Sequence, residues 1–218
     1  MADPTTTVHA PAPAATASDT HEVHLVRPST SNLSVRLTTN RLLVTPAGVI
    51  KALLAASDMV EVDGTGRKRR GRRNPTSELD LHLRILRRRR DVGAVVHAHP
   101  PTATGFAVAG EALDAFVLPE LILLCGRVPL VPYGAPGSPE LGERVERFIG
   151  EHDALLLANH GAVTVGRTLD EAWIRMESLE HAARILLAAR AVGRVTELDA
   201  AAVRQLSTQR QAARETDA

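Results

Sequence analysis

The chain has 218 residues, 44% of them apolar and 23% charged, and a formal net charge of +1. This length supports one domain with a full core, and a charge so near zero excludes nucleic acid and membrane surfaces as partners drawn by the global field. Aromatic residues make up 2%, so the core must come from Leu, Val, Ile and Ala, and stacking on bases or sugar rings has few candidates. One cysteine, Cys125, excludes an internal disulfide and suits a reducing compartment. No apolar run approaches the ~18 residues of a membrane span. The N-terminal residues lack the basic start and apolar stretch of a signal peptide, so a cytoplasmic protein is expected.

In chain order, residues 1–28 are rich in Ala, Pro, Thr and Ser without an apolar period, which predicts a disordered segment and leaves 29–218 as one domain. Val35, Leu37 and Leu42–Val44 predict two short strands turned at Thr39-Asn40. Thr45-Pro46-Ala47-Gly48 breaks the second, and Val49–Ala56 reads as a short helix. Met59–Val62 predicts another strand, closed by the hairpin signal Asp63-Gly64. Arg67, Lys68, Arg69, Arg70, Arg72 and Arg73 follow, and a solvated loop accounts for them better than a localisation or nucleic-acid signal.

A helix opens at Pro75-Thr76-Ser77-Glu78, with Thr76 or Ser77 as cap and Leu79, Leu83 and Leu86 as its apolar stripe. His82 lies beside that stripe as a partly buried residue, and Arg87–Arg90 suit the negative end of the helix dipole. Next come a buried strand over Val92–His99, a helix over 103–109, a strand over 128–133 and a helix from Ser138 or Pro139 to Ile149. Ala154–Leu157 and Val163–Val165 predict strands on either side of Asn159-His160-Gly161. Thr168-Leu169-Asp170-Glu171 fits a capping box for a long helix that carries Ala172, Met176, Leu179, Ala183, Leu186 and Leu187 and stops at Gly193. No repeated βαβ unit is present. The expected class is α/β of the α+β type, an antiparallel or mixed sheet flanked by helices.

His97-Ala98-His99 carries the first chemical signal. Side chains at i and i+2 of a strand share a face, so both imidazoles can meet one metal ion, although such pairs also arise by chance. His160, between Asn159 and the pliant Gly161, supplies a third ring. Three neutral nitrogens with one position open is the pattern of a catalytic zinc site, and the near-absence of cysteine argues against a structural one. Glu78 reads locally as an ordinary helix-start glutamate. Its helix leads directly into the His97 strand, however, so its carboxylate can serve as a fourth ligand or a general base. Thr76 and Ser77 at a helix start, Gly48 at the opening of the helix expected over Val49–Ala56 and the Asn32 amide together offer an anion site.

In this order, Ser31-Asn32-Leu33-Ser34-Val35-Arg36, Thr45-Pro46-Ala47-Gly48, Pro75-Thr76-Ser77-Glu78, His97-Ala98-His99 and Asn159-His160-Gly161 resemble the class II (metal-dependent) aldolase/adducin family. The resemblance is nearest to its fuculose-phosphate aldolase branch and runs from about Ser31 to Gly193, taking in Pro136–Leu141 and Gly166–Glu180. It implies a three-layer fold with a central, mainly antiparallel sheet, and a cyclic homotetramer with active sites between subunits. It implies zinc, or another divalent metal, on His97, His99 and His160, proton transfer by Glu78, and substrate phosphate on Asn32, Gly48, Thr76 and Ser77. The implied reaction is reversible cleavage of a fuculose-1-phosphate-like ketose 1-phosphate to dihydroxyacetone phosphate and an aldehyde, through a zinc-stabilised enediolate. Glu120, in Leu118-Pro119-Glu120, is a candidate acid/base reaching across the subunit interface, against the commoner reading of a surface carboxylate. Rival activities on the same fold are sugar-phosphate epimerase, dehydratase and decarboxylase. A non-catalytic adducin-like module has no need of the intact histidine and glutamate set.

Overall fold

The computed structural model describes residues 31–216, so the segment predicted to be disordered, 1–28, lies outside the described residues. The first predicted hairpin forms as β1 (Asn32–Thr38) and β2 (Arg41–Val44), turning at Thr39-Asn40. With β3 (Val60–Asp63), β4 (Lys68–Arg70), β5 (Ala94–Ala98), β6 (Leu130–Val131), β7 (Ala154–Leu157) and β8 (Gly161–Gly166) they build one sheet, ordered β4-β3-β2-β1-β5-β8-β7-β6. Every neighbouring pair is antiparallel except β6 and β7.

Helices cover both faces of this sheet, which is why β5, β7 and β8 are largely apolar on both faces, while β1 alternates and carries Asn32 and Ser34 toward the site. Ala94, Val96 and Ala98 of β5 pack with Phe106, Met176, Leu179 and Ala183, which lie on α2 (Pro101–Ala109) and α5 (Leu169–Val192). Val95 points the other way, into a core with Ile85, Leu86, Val145 and Ile149 on α1 (Leu79–Arg88) and α4 (Pro139–Ile149). This two-residue alternation along β5 produces the three layers.

Two helices form that the sequence reading leaves out. The short α3 (Pro119–Leu124) is only six residues long, too brief to show a period. The longer α6 (Ala200–Thr216) packs against α3, and its Ala-, Arg- and Gln-rich composition was the available signal. Arg210 and Arg214 of α6 reach the buried Asp153, which also pairs with Arg89.

Other expectations are corrected. Val49–Ala56 is not a helix; single 3-10 turns at Lys51–Leu53 and Ala56–Asp58 are separated by extended Leu54 and Ala55. Ile50 and Leu53 are exposed, so among the described residues these side chains dock on no core, and so short a run does not nucleate a helix alone. Gly48 therefore precedes no helix and sits in a left-handed turn with φ 66°. The arginine-rich stretch is exposed as expected, but Lys68–Arg70 pairs with β3 as an edge strand, where its charges discourage further pairing. The strand expected over 128–133 shrinks to Leu130–Val131 between Pro129 and Pro132, which cannot donate to a ladder. Gly193 ends α5 in extended rather than left-handed backbone.

One packing feature bears directly on the site. The Glu180 carboxylate, buried on α5, accepts from the backbone N–H groups of Thr102 (3.0 Å) and Ala103 (2.9 Å) at the start of α2. This helix begins two residues after His99. Glu180→Ala would strand these donors in the core, and we expect a loss of about 2–3 kcal/mol. Urea denaturation checks this, and an unchanged midpoint would contradict it.

Candidate active site

Three parts of the chain converge at one end of the sheet. His97 on β5 lies opposite Asn32 of β1 on one side and Val163 of β8 on the other. His99 follows just past the end of β5. His160 occupies the turn between β7 and β8, behind Asn159 in left-handed backbone (φ 54°), a conformation asparagine tolerates better than most residues. Gly161 is required by close approach, because a Cβ there would lie 2.6 Å from both the Ala98 carbonyl oxygen and His99 Cδ2.

The three rings meet edge to face, with centroids 4.7–5.0 Å apart, and one nitrogen from each lies within 4.8 Å of the others. His97 Nδ1–H donates to the Ala162 carbonyl (2.9 Å), so in the neutral ring Nε2 carries a lone pair. That nitrogen faces His99 Nε2 at 3.2 Å and Glu78 Oε2 at 3.0 Å, and Glu78 Oε1 stands 3.4 Å from His160 Nε2. Acceptors this close need a shared cation, either a proton or a metal ion. Glu78 Oε1 and His160 Nδ1 are buried without a hydrogen bond among the described residues. Three imidazoles and a carboxylate around one point fit a divalent metal.

The electrostatics agree. Burial, with the nearby His97 adding to it, pushes His99 and His160 down to about 4, so both rings are neutral at pH 7, as metal ligation requires. For Glu78, burial favours the protonated form, but a proton shared with His97 Nε2 and the N–H of Asn32 outweigh it. The carboxyl is held well below the usual carboxylate range.

The other expected site residues fall into place unevenly. Asn32 Nδ2 donates to Glu78 Oε2 (2.8 Å). Glu78 is itself the N-cap of α1, without a side-chain cap bond; the Thr76 hydroxyl instead accepts from its backbone N–H (3.3 Å). The loops 45–48 and 74–77 run side by side, with the Thr76 N–H committed to Thr45 O (3.0 Å) and therefore not free for a ligand. Ser77 and Gly48 are exposed. Gly137 packs so tightly on the first of these that a Cβ would lie 2.9 Å from Ser77 O. Glu120 is exposed in the first turn of α3 and makes no contact with the histidines or Glu78 among the described residues.

His82, expected to be partly buried, is fully enclosed and hydrogen-bonded to Ser34 and Asn32. Sequence reasoning left Ser34 out, since only its two-residue spacing from Asn32 on one strand could have suggested it. Burial, aided by His97, pushes His82 down to about 3. The unfolded chain therefore binds more protons than the folded one between that value and the ~6.5 of a free imidazole. Stability of the metal-free protein should fall as pH drops through this window, by up to about 1.4 kcal/mol per pH unit for His82. His99 and His160 act in the same direction. Denaturant titrations between neutral and mildly acid pH would contradict this if stability stayed constant.

Among the described residues no helix is long and apolar enough to cross a membrane. A family model described as "Class II Aldolase and Adducin N-terminal domain" matches residues 12–187. An L-fuculose phosphate aldolase of Methanococcus maripaludis (strain C7 / ATCC BAA-1331) is 36% identical over 157 residues, covering 72% of this chain and 84% of its own length. A 3-oxo-tetronate 4-phosphate decarboxylase of Pectobacterium atrosepticum is 34% identical over 163 residues, covering 72% and 74%. A solved L-fuculose 1-phosphate aldolase superposes with a TM-score of 0.81 at 29% identity, over 87% of this chain and 90% of that one.

Proposed function

The chain belongs to the class II aldolase and adducin family, on its lyase side, and we propose that it cleaves a ketose 1-phosphate, fuculose 1-phosphate or a close analogue, reversibly to dihydroxyacetone phosphate and an aldehyde. The observation that carries this reading is the meeting of His97, His99 and His160 with a buried carboxylate, Glu78, whose Oε1 has no hydrogen bond. The three histidines would hold the metal, zinc first because an imidazole-rich donor set suits it. Bound there, a divalent ion supplies a Lewis acid that polarises the ketose oxygens and offsets negative charge developing on them. Glu78, ionised at rest, would take up the proton released as the hydroxyl on the departing carbon becomes the aldehyde carbonyl, and would pass it to the carbon left behind when the C–C bond breaks. The second Nδ2–H of Asn32, the Thr76 and Ser77 hydroxyls and the Gly48 N–H would bind the phosphate. A homotetramer with active sites between subunits, cytoplasmic, belongs to the same reading, with the exposed Glu120 as a second acid/base offered to a neighbouring subunit.

The decarboxylase relative favours a second reading. Losing CO2 from a 3-oxo acid also leaves an electron pair beside a carbonyl, so the same residues could serve. A panel of ketose 1-phosphates and one 3-oxo acid phosphate, with and without chelator, separates the two. Chelator-sensitive release of triose phosphate supports the aldolase, CO2 without triose phosphate moves the reading to a decarboxylase, and neither product overturns both.

A further inference from the structure

We propose that His82, with Ser34 behind it, is a positioning residue that acts through Asn32 to fix the orientation of the Glu78 carboxylate. The proposal rests on Glu78 carrying a proton in the reaction above. His82 lies on α1, one turn after Glu78, and both of its ring nitrogens are engaged. Nδ1 is 2.7 Å from Ser34 Oγ and Nε2 is 2.5 Å from Asn32 Oδ1, and neither His82 nor Ser34 is exposed at all.

The chemistry of each group fixes the direction of these bonds. Asn32 turns its Nδ2–H2 group to Glu78 Oε2, so Oδ1 faces His82 and can only accept. His82 Nε2 must therefore hold the ring proton, which leaves Nδ1 to accept from the Ser34 hydroxyl. Burial keeps a second proton off the ring. Three hydrogen bonds then run one way, from Ser34 to His82, to Asn32, to Glu78. With His82 in this tautomer, turning the Asn32 amide over would set Oδ1 against the carboxylate and an N–H against an N–H, replacing two bonds with two repulsions. Asn32 is thus locked, and Glu78 Oε2 with it. The other oxygen, Oε1, is left without a hydrogen bond and turned toward His160.

A histidine that merely glued α1 to β1 would make the same contacts, so the test must separate the two roles. In metal-loaded protein carrying 15N-histidine, the His82 resonance, assigned by its loss in His82→Gln, should report the Nε2–H tautomer from about pH 5 to about pH 8. An Nδ1–H tautomer would overturn the proposal. In kinetics, His82→Leu and His82→Asn should lower turnover by about 10–100-fold at unchanged metal content, as loss of an outer-shell partner does. His82→Gln, whose amide N–H can still reach Asn32, should recover much of that loss although it is no more stable to urea than His82→Leu. Turnover that simply follows stability across the three variants, or does not change, would overturn the positioning role. Should His82→Leu fail to fold, Ser34→Ala, which removes only the last donor, must still lower turnover. The reaction followed is whichever C–C cleavage the wild type performs. A wild type that releases CO2 instead of triose phosphate thus fails the aldolase reading alone.

Discussion

Glu78→Gln should lower turnover by about 10²–10⁴-fold, the usual worth of a positioned acid/base, while the protein still takes up its metal. The amide has the shape of the carboxylate and keeps an oxygen that can accept from Asn32 Nδ2, so the buried network loses little packing. It cannot take up and release a proton at neutral pH, and this is the property the reaction needs. The three imidazoles are untouched, because their own anchors lie elsewhere, such as the bond from His97 Nδ1–H to the Ala162 carbonyl. Turnover and metal content measured on the same preparation decide the matter. Wild-type turnover in the variant would remove Glu78 from the chemistry.

The second large effect is expected from His160→Ala. This change leaves two imidazoles, on residues two apart, and removes the one that the neighbouring β7–β8 hairpin brings in. Losing a partner outside the coordination shell typically weakens a metal site 10–100-fold, so losing a ligand should exceed about 100-fold. The turn itself should survive, since Asn159 still supplies the left-handed residue and Gly161 still clears Ala98 and His99. Competition with a chromophoric chelator measures the change. Equal affinity in wild type and variant would show that His160 is not a ligand.

The sequence disclosed those features whose causes are local. Apolar runs announced the inner strands, Ser138 and Thr168 announced their helices as side-chain caps, and the i, i+2 histidines of β5 pointed to one face. Features set by distant partners were illegible. Val49–Ala56 has helix-forming residues, but among the described residues Ile50 and Leu53 are left exposed rather than packed on a core. The Thr76 N–H reads as a free helix-start donor, and the antiparallel course of loop 45–48 takes it. His82 read as half-buried because its partners, Ser34 and Asn32, lie 48 and 50 residues earlier. Glu78 stands out in the sequence because α1 runs straight into β5 and because the Pro75–Glu78 motif resembles the family's. Its contacts with His97, His160 and Asn32 could not be read from spacing.

The most direct test of the central claim is the divalent metal content of the wild-type chain, purified without chelator and re-equilibrated with zinc. The site predicts one tightly held ion per chain, lost on chelation together with triose-phosphate release. A protein that stays folded, binds no zinc, and does not change its activity with chelator would contradict it.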